Sequence, residues 1–304
     1  MIWILGMAAF VAVLGAVFFA IYLADALTGG RRVRVQGTPA DLGLRYEEIQ
    51  FLTADRLTLR GWFIESPAAR ATVVLVHEVH ATRADRDRGL LHLQRDYVRR
   101  GFSVFAFDLR AHGESGGNRD TLGRTERLDV QAAVAYVRRR SGRTPILLHG
   151  FGYGAALAID AAARGVEVAG IIADSPFTSM RSFLQAHHRH TPGVVLDAAA
   201  LVARRFFKAD VNALKPLQAV ERAGVPVLFI HGEGDEVVPA ANSLNLAAAS
   251  LDPRVQVWIV NDEVGHGAAY HNQPDAYIRR CLEFVDEVVP ERASFPAAEP
   301  ARAV

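Results

Sequence analysis

One stretch limits the possible folds of this chain more than any other: residues 145–159, P-I-L-L-H-G-F-G-Y-G-A-A-L-A-I. A short apolar run with the character of a buried strand ends in glycines at alternate positions, Gly150, Gly152 and Gly154. An alanine-rich helical run follows at once. A strand that turns directly into a helix leaves no room for side chains where the two approach, and glycine meets that need. The central position of so sharp a turn is strained and displays its side chain. Here that position is Gly152, which has no atom beyond Cα to display.

Around that stretch, strands and helices alternate. Residues 46–53 and 57–65 read as a hairpin with Asp55 in the turn, and 71–77 as a strand buried on both faces. Residues 89–100 read as helix, 102–108 as strand, 110–117 as a glycine-rich loop and 124–140 as a long amphipathic helix. Beyond the central stretch come a strand at 168–173, a mostly helical segment at 176–217 and a strand at 225–231. A helix at 242–251, a strand at 255–260 and a closing helix at 274–288 complete the order. The alternation predicts an α/β fold with a mostly parallel central sheet, helices on both faces and working loops at the carboxyl ends of the strands.

Residues 2–24 carry no charged side chain and are long enough to cross a bilayer core of about 30 Å as a helix. No Lys or Arg precedes this run, and it is longer than the apolar part of a secretory signal. The expectation is an uncleaved transmembrane anchor; a signal peptide cut near Ala24-Asp25-Ala26 is the competing reading. Arg31, Arg32 and Arg34 follow, which by the positive-inside rule puts the main domain of a single-pass membrane protein on the cytoplasmic side. The expected division is anchor 1–28, linker 29–44, main domain 45–289 with a lid insertion at 176–217, and a fraying Pro- and Ala-rich tail at 290–304. A net charge of +1 and the lack of a long basic block argue against nucleic acid as a partner. The single cysteine, Cys281, rules out an intrachain disulfide. No protein partner is legible.

Five short segments stand at the predicted strand ends. They are Leu75-Val76-His77, the run from Phe107 through Asp108 to Ser115 (F-D-L-R-A-H-G-E-S), the bend at Gly152, the run from Ile230 through Asp235 to Pro239 (I-H-G-E-G-D-E-V-V-P), and Gly265-His266-Gly267. In these segments and their order the chain resembles the α/β-hydrolase superfamily, most closely its membrane-anchored Bem46-like and serine aminopeptidase-like branch. There the bend is a nucleophile elbow, G-x-S-x-G. The resemblance implies an α/β-hydrolase fold with a short helical lid, Asp235 as acid and His266 as base. It also implies an oxyanion hole made by the backbone N–H groups of Val79 and Tyr153. A carboxylate on one imidazole nitrogen fixes the tautomer and leaves the other nitrogen to take a proton.

Two positions depart from that pattern. Gly152 stands where the serine belongs, so covalent catalysis at the bend is excluded. Glu78 follows His77 where the family usually has glycine, and a carboxylate beside oxyanion donors opposes negative charge on a substrate oxygen. The expectation is a degenerate hydrolase retained for binding a small acyl or lipid-like ligand near His77, Glu78, Val79, Phe151, Tyr153 and Ser175. The N-myc downstream-regulated family is similar in carrying glycine at the elbow of a hydrolase fold. The competing reading is an active hydrolase of small esters, amides or lipids. It would use a water activated by His266 and Asp235, with Glu78 assisting, or a relocated hydroxyl such as Ser175. Ser175 otherwise reads as a helix N-cap before Pro176, and Ser115 as a loop hydroxyl. His187, His188 and His190 lie in the lid without a metal-ligand frame, so no metal is expected. The glycines follow G-x-G-x-G rather than the dinucleotide spacing G-x-G-x-x-G, and no cofactor is expected.

Overall fold

The computed structural model describes residues 2–289 apart from Arg31 and Asp262. Its strands are β1 (Glu47–Leu52), β2 (Thr58–Ile64), β3 (Thr72–Val76), β4 (Ser103–Phe107), β5 (Ile146–Phe151), β6 (Gly170–Asp174), β7 (Val227–Gly232) and β8 (Gln256–Val260). They form one sheet in the order β1-β2-β4-β3-β5-β6-β7-β8. The β1–β2 hairpin and the β2–β4 pair are antiparallel, and the remaining neighbours are parallel. The helices are α1 (Ile2–Thr28), α2 (Leu90–Arg99), α3 (Arg127–Ser141), α4 (Tyr153–Ala163), α5 (Met180–His187), α6 (Gly193–Phe206), α7 (Pro216–Ala223), α8 (Ala241–Ala249), α9 (Ala269–Asn272) and α10 (Pro274–Val288). This is the α/β-hydrolase fold, with α5 and α6 as a short helical lid.

The two-residue period of the strands divides the core into two layers. Val74 and Val76 of β3, Phe105 and Phe107 of β4 and Ile146 and Leu148 of β5 face one layer, with α3 and α4. Val73, Leu75, Val104, Ala106, Leu147 and Phe151 face the other, with α2 and α10. Strands buried on both faces read as unbroken apolar runs, which is why they were legible in the sequence.

Several boundaries differ from expectation. α3 starts at Arg127 rather than at residue 124, because the Glu126 carboxylate turns inward and accepts the N–H groups of Thr121 (2.8 Å) and Gly123 (2.9 Å). The segment expected as lid at 176–217 ends with Pro216 opening α7, which packs on α4 in the core. The expected linker at 29–44 holds a 3-10 turn (Pro39–Leu42), and Gly29 bridges to Arg119. The expected tail at 290–304 lies outside the described residues.

α1 is long and apolar enough to cross a membrane. Most of its described side chains are exposed, from Trp3 to Phe19. Its last two turns instead pack on α6, where Ala20, Leu23 and Ala24 on one side and Ala199 and Ala203 on the other are buried. Asp25 pairs with Arg119 at 2.6 Å. Arg32, one of the arginines used to orient the span, donates to the carbonyl oxygens of Gly113 (2.9 Å) and Ser115 (2.6 Å) in the glycine-rich loop.

Candidate functional site

β5 passes into α4 through one residue, Gly152, whose φ of +47° lies in the left-handed region. Its N–H donates to the carbonyl of Asp174 at 2.8 Å, which ties the bend to the end of β6. A Cβ on Gly154 would lie 2.1 Å from the carbonyl oxygen of Val76, so only glycine lets α4 start this close to β3. At Gly152 the reason is different. A Cβ built there would lie 1.4 Å from Oε2 of Glu78 and 3.0 Å from Nε2 of His266. The space that a side chain at residue 152 needs is filled by the Glu78 carboxylate.

Glu78 is held on every side. Its Oε1 accepts the N–H groups of Val79 (2.6 Å) and Tyr153 (3.0 Å), and its Oε2 lies 3.0 Å from Nε2 of His266. The loop that carries it is fixed by the segment after β4. Leu109 N–H donates to Nε2 of His77 (2.9 Å), His80 N–H to Nε2 of His112 (3.1 Å) and Arg83 N–H to Oδ1 of Asp108 (2.9 Å). His77 stays neutral: burial pushes its pKa down to about 3, and its Nδ1 lies 2.7 Å from the Glu78 carbonyl. Its place is structural, between two loops.

On the other side of the imidazole, Nδ1 of His266 lies 2.7 Å from Oδ2 of Asp235. Asp235 also accepts the N–H groups of Val237 (2.9 Å) and Val238 (2.7 Å), and Nε2 of His231 lies 3.1 Å from its Oδ2. Burial works against its charge, yet His231, His266 and the Val238 amide together hold it well below the usual carboxylate range. For Glu78 too, burial is outweighed, first by His266 and then by the charge of Arg88 and the Val79 amide, so its pKa falls. His266 shows the mirror image. Burial disfavours its charge, but hydrogen bonds and charge from Asp235 and Glu78 raise its pKa to about 10. The centre is therefore a carboxylate–imidazolium–carboxylate chain at neutral pH.

The other residues singled out in the sequence take varied places. Tyr153 is buried and its hydroxyl donates to Asp120 (3.1 Å). Phe151 is buried and stacks on His149 with ring centroids 4.8 Å apart. Ser115 staples β2 to the loop after β4, accepting Arg60 N–H (2.9 Å) and donating to the Asp108 carbonyl (2.6 Å). Ser175 is not a helix N-cap: α5 begins at Met180, and Ser179 caps it by accepting Ser182 N–H. The Ser175 hydroxyl instead donates to Asp174 (2.9 Å) and accepts Gly267 N–H (3.1 Å), fixing the loop that carries His266. Ser175→Ala is expected to lower stability by about 1–3 kcal/mol, because the Gly267 N–H is left buried and unpaired. Thermal unfolding, with hydrogen exchange at the Gly267 amide, checks this.

Sequence reasoning missed four contributors. Arg88 places its charge near Glu78 while pairing with Asp85 at 2.8 Å. His231 adds a second imidazole to Asp235, and its position at the end of β7 could have marked it. Asp120 and Leu27 help to wall a chamber of about 250 Å³ beside the bend, together with Val79, Tyr153, Met180 and Phe183. Nothing local marks Asp120 and Leu27, since the fold brings them there from distant segments. A wider polar cleft of about 390 Å³ shares Val79 and His80 and is otherwise lined by groups such as Arg34, Asp85 and Arg88. Among the described residues, no group of His, Cys, Asp and Glu is arranged to hold a metal ion.

The hydrolase family of serine aminopeptidases, S33, matches residues 67–211. Protein YfhR of Escherichia coli K12 is 28% identical over 253 residues, 79% of this chain and 80% of its own length. Protein bem46 of Schizosaccharomyces pombe is 26% identical over 208 residues, 66% of this chain and 64% of its own. A lysophosphatidylserine lipase of Danio rerio is 29% identical over 191 residues, covering 59% of this chain and 47% of the lipase. Among solved structures, an esterase of Pyrococcus furiosus matches the fold with a TM-score of 0.71 at 24% identity, covering 85% of this chain and 97% of the esterase. With its strand order, its loop motifs and these similarities taken together, the chain has the α/β-hydrolase fold and is similar to serine aminopeptidases and to the Bem46-like branch.

Proposed function

We propose that this is a membrane-tethered hydrolase-fold protein in which serine-type acyl transfer is shut, retained for holding a small acyl or lipid-like ligand. One observation carries the reading: the Glu78 carboxylate occupies both the seat of the missing nucleophile and the two amides of the would-be oxyanion hole. A substrate carbonyl has neither an attacking group nor a place for its oxygen. The geometry also argues against a water activated by His266 and Asp235. An imidazolium has no lone pair with which to accept a proton, and Nε2 already faces Glu78. Ser175 is fully buried and held by Asp174 and the Gly267 amide, which speaks against a relocated nucleophile.

The chamber supports an apolar-chained ligand, since Leu27, Leu122, Met180 and Phe183 form much of its wall. The lipase relative points the same way. The apolar α1 followed by arginines supports a single span with the domain on the cytoplasmic face; protease protection in vesicles of opposite sidedness reads that orientation. For the full chain in detergent, a fluorophosphonate probe is expected to leave the protein unlabelled. Hydrolysis of p-nitrophenyl acetate is expected to stay at the level of the His266→Ala variant. A dansyl fatty acid is expected to bind saturably and to lose that binding in Phe183→Asp. Labelling of the wild-type chain would overturn the reading.

A further inference from the structure

One residue in the chamber wall has a chemistry that an apolar chain leaves unused. Asp120 lines the chamber and is only 3% exposed. Its N–H donates to the Thr28 carbonyl (2.9 Å), which fixes its segment to the end of α1. Oδ1 of Asp120 accepts the Leu122 N–H (2.6 Å) and the Tyr153 hydroxyl (3.1 Å). Oδ2 is buried and has no hydrogen-bond partner among the described residues. A buried carboxyl oxygen left unpaired is costly, and a ligand group that meets it removes the cost. We propose that the chamber takes an aliphatic amine, with Asp120 as the counter-ion of its ammonium group. This rests on the reading of the chamber as a ligand site and specifies the head of the ligand.

The charges around Asp120 decide which head it takes. Glu126 and Asp129, at the start of α3, both act on it and both are acidic. Each has partners of its own: Glu126 accepts the N–H groups of Thr121 and Gly123, and Asp129 pairs with Arg110 at 2.7 Å. Arg119, next to Asp120 in the chain, is engaged by Asp25 (2.6 Å) and by the Thr28 hydroxyl (3.0 Å). Burial keeps the Tyr153 hydroxyl neutral. His80 and, at the end of α5, His187 and His188 also line the chamber; burial and then His187 push the pKa of His188 down. An ammonium group supplies the positive charge that this surrounding lacks. An alcohol supplies none, and a fatty acid binds by its chain alone. With the chamber empty, burial and then the charge of Glu126 push the Asp120 pKa well above the usual carboxylate range, so the acid holds its proton. An ammonium ion and the neutral acid become an ion pair, and one proton goes to water. Affinity therefore rises about tenfold per pH unit while Asp120 is protonated in the empty chamber and ionised in the occupied one. The tail lies along Leu27, Leu122, Met180 and Phe183.

The test uses the full chain in detergent, with octylamine, octanol and octanoate as probes of equal chain length. At pH 8 octylamine is expected to bind about tenfold or more tighter than either of the others, the scale of a hydrogen bond to a charged partner. Calorimetry in two buffers of different ionisation enthalpy is expected to show about one proton released per octylamine bound and none per octanol. Asp120→Asn keeps an oxygen for the Leu122 N–H and the Tyr153 hydroxyl, and unchanged octanol binding shows its chamber intact. In that variant octylamine is expected to bind no tighter than octanol, with no proton released and an affinity nearly flat in pH. Octylamine binding no tighter than octanol in the wild type overturns the proposal. A preference for octylamine that survives Asp120→Asn overturns it as well. Neither result touches the chamber as a ligand site. That reading falls, and this proposal with it, when octanol and the dansyl fatty acid both fail to bind.

Discussion

Gly152→Ser made alone is expected to yield a destabilised protein that no fluorophosphonate labels, whereas Gly152→Ser combined with Glu78→Gly is expected to be labelled and to turn over p-nitrophenyl acetate. The single change puts a Cβ 1.4 Å from Oε2 of Glu78, a distance no packing tolerates. Glu78 must leave two amides and an imidazolium, and breaking a buried ion pair typically costs about 3–5 kcal/mol. The double change frees the seat and the amides together, and it removes one of the two carboxylates that keep His266 protonated. The gain in turnover over either single variant is expected to be on the order of a hundredfold or more, the scale of one restored oxyanion donor alone. The Cβ would also lie 3.0 Å from Nε2 of His266, so the ring has to yield by a few tenths of an ångström. Equal labelling of the single and double variants would show that Glu78 is no obstruction.

Glu78→Gln is expected to cost stability in a pH-dependent way that reports the ion pair directly. The folded pKa of His266 is about 10, above its ordinary 6.5, so its contribution is complete below pH 6.5 and disappears as pH rises through about 10. Glu78 is shifted the other way, from 4.5 downward, so its contribution is present above pH 4.5 and is lost as pH falls through the lowered value. The difference in unfolding free energy between wild type and Glu78→Gln should therefore be largest on a plateau from about pH 4.5 to at least 6.5. Above that, once the variant's own His266 gives up its proton, the difference should shrink by up to about 1.4 kcal/mol per pH unit. Denaturant unfolding at a series of pH values measures the curve. Imidazole NMR at pH 8 provides the independent check, with His266 expected protonated in the wild type. A neutral ring at that pH would remove the basis for this prediction.

The central strands were legible because burial on both faces leaves unbroken apolar runs, and the bend because close approach of helix and strand admits only glycine. Asp235 and His266 were legible through their motifs. The position of the Glu78 carboxylate was not. The sequence shows an acid next to the amides, but whether it points away, lies alongside or enters the seat depends on the His77 and Asp108 bonds that hold its loop. Those bonds join segments about thirty residues apart, and no local pattern encodes them. Ser175 misled for a related reason. A serine before proline fits a helix start, yet its partner is the Gly267 amide, supplied by a loop that only tertiary folding brings close. Glycine at the bend and glutamate after His77 look like two separate losses. In the structure they are one substitution in space, a carboxylate arriving from the neighbouring strand to take the place a hydroxyl would have had.

The docking of α1 on the lid has a consequence for how any hydrophobic molecule would arrive. From Phe19, on the exposed apolar part of the helix, to Leu27, in the chamber wall, is about 12 Å along the axis at 1.5 Å per residue. Under the proposed tethering, with that apolar part in a leaflet, the Leu27 wall of the chamber stands near headgroup depth, and a lipid would reach it by sideways diffusion rather than by a crossing through water. Cutting the chain after Thr28 would then do more than release it from the membrane: it would strip one side of the cavity and bare the Ala199–Ala203 face of α6. Ligand affinity measured on such a fragment would describe a different container.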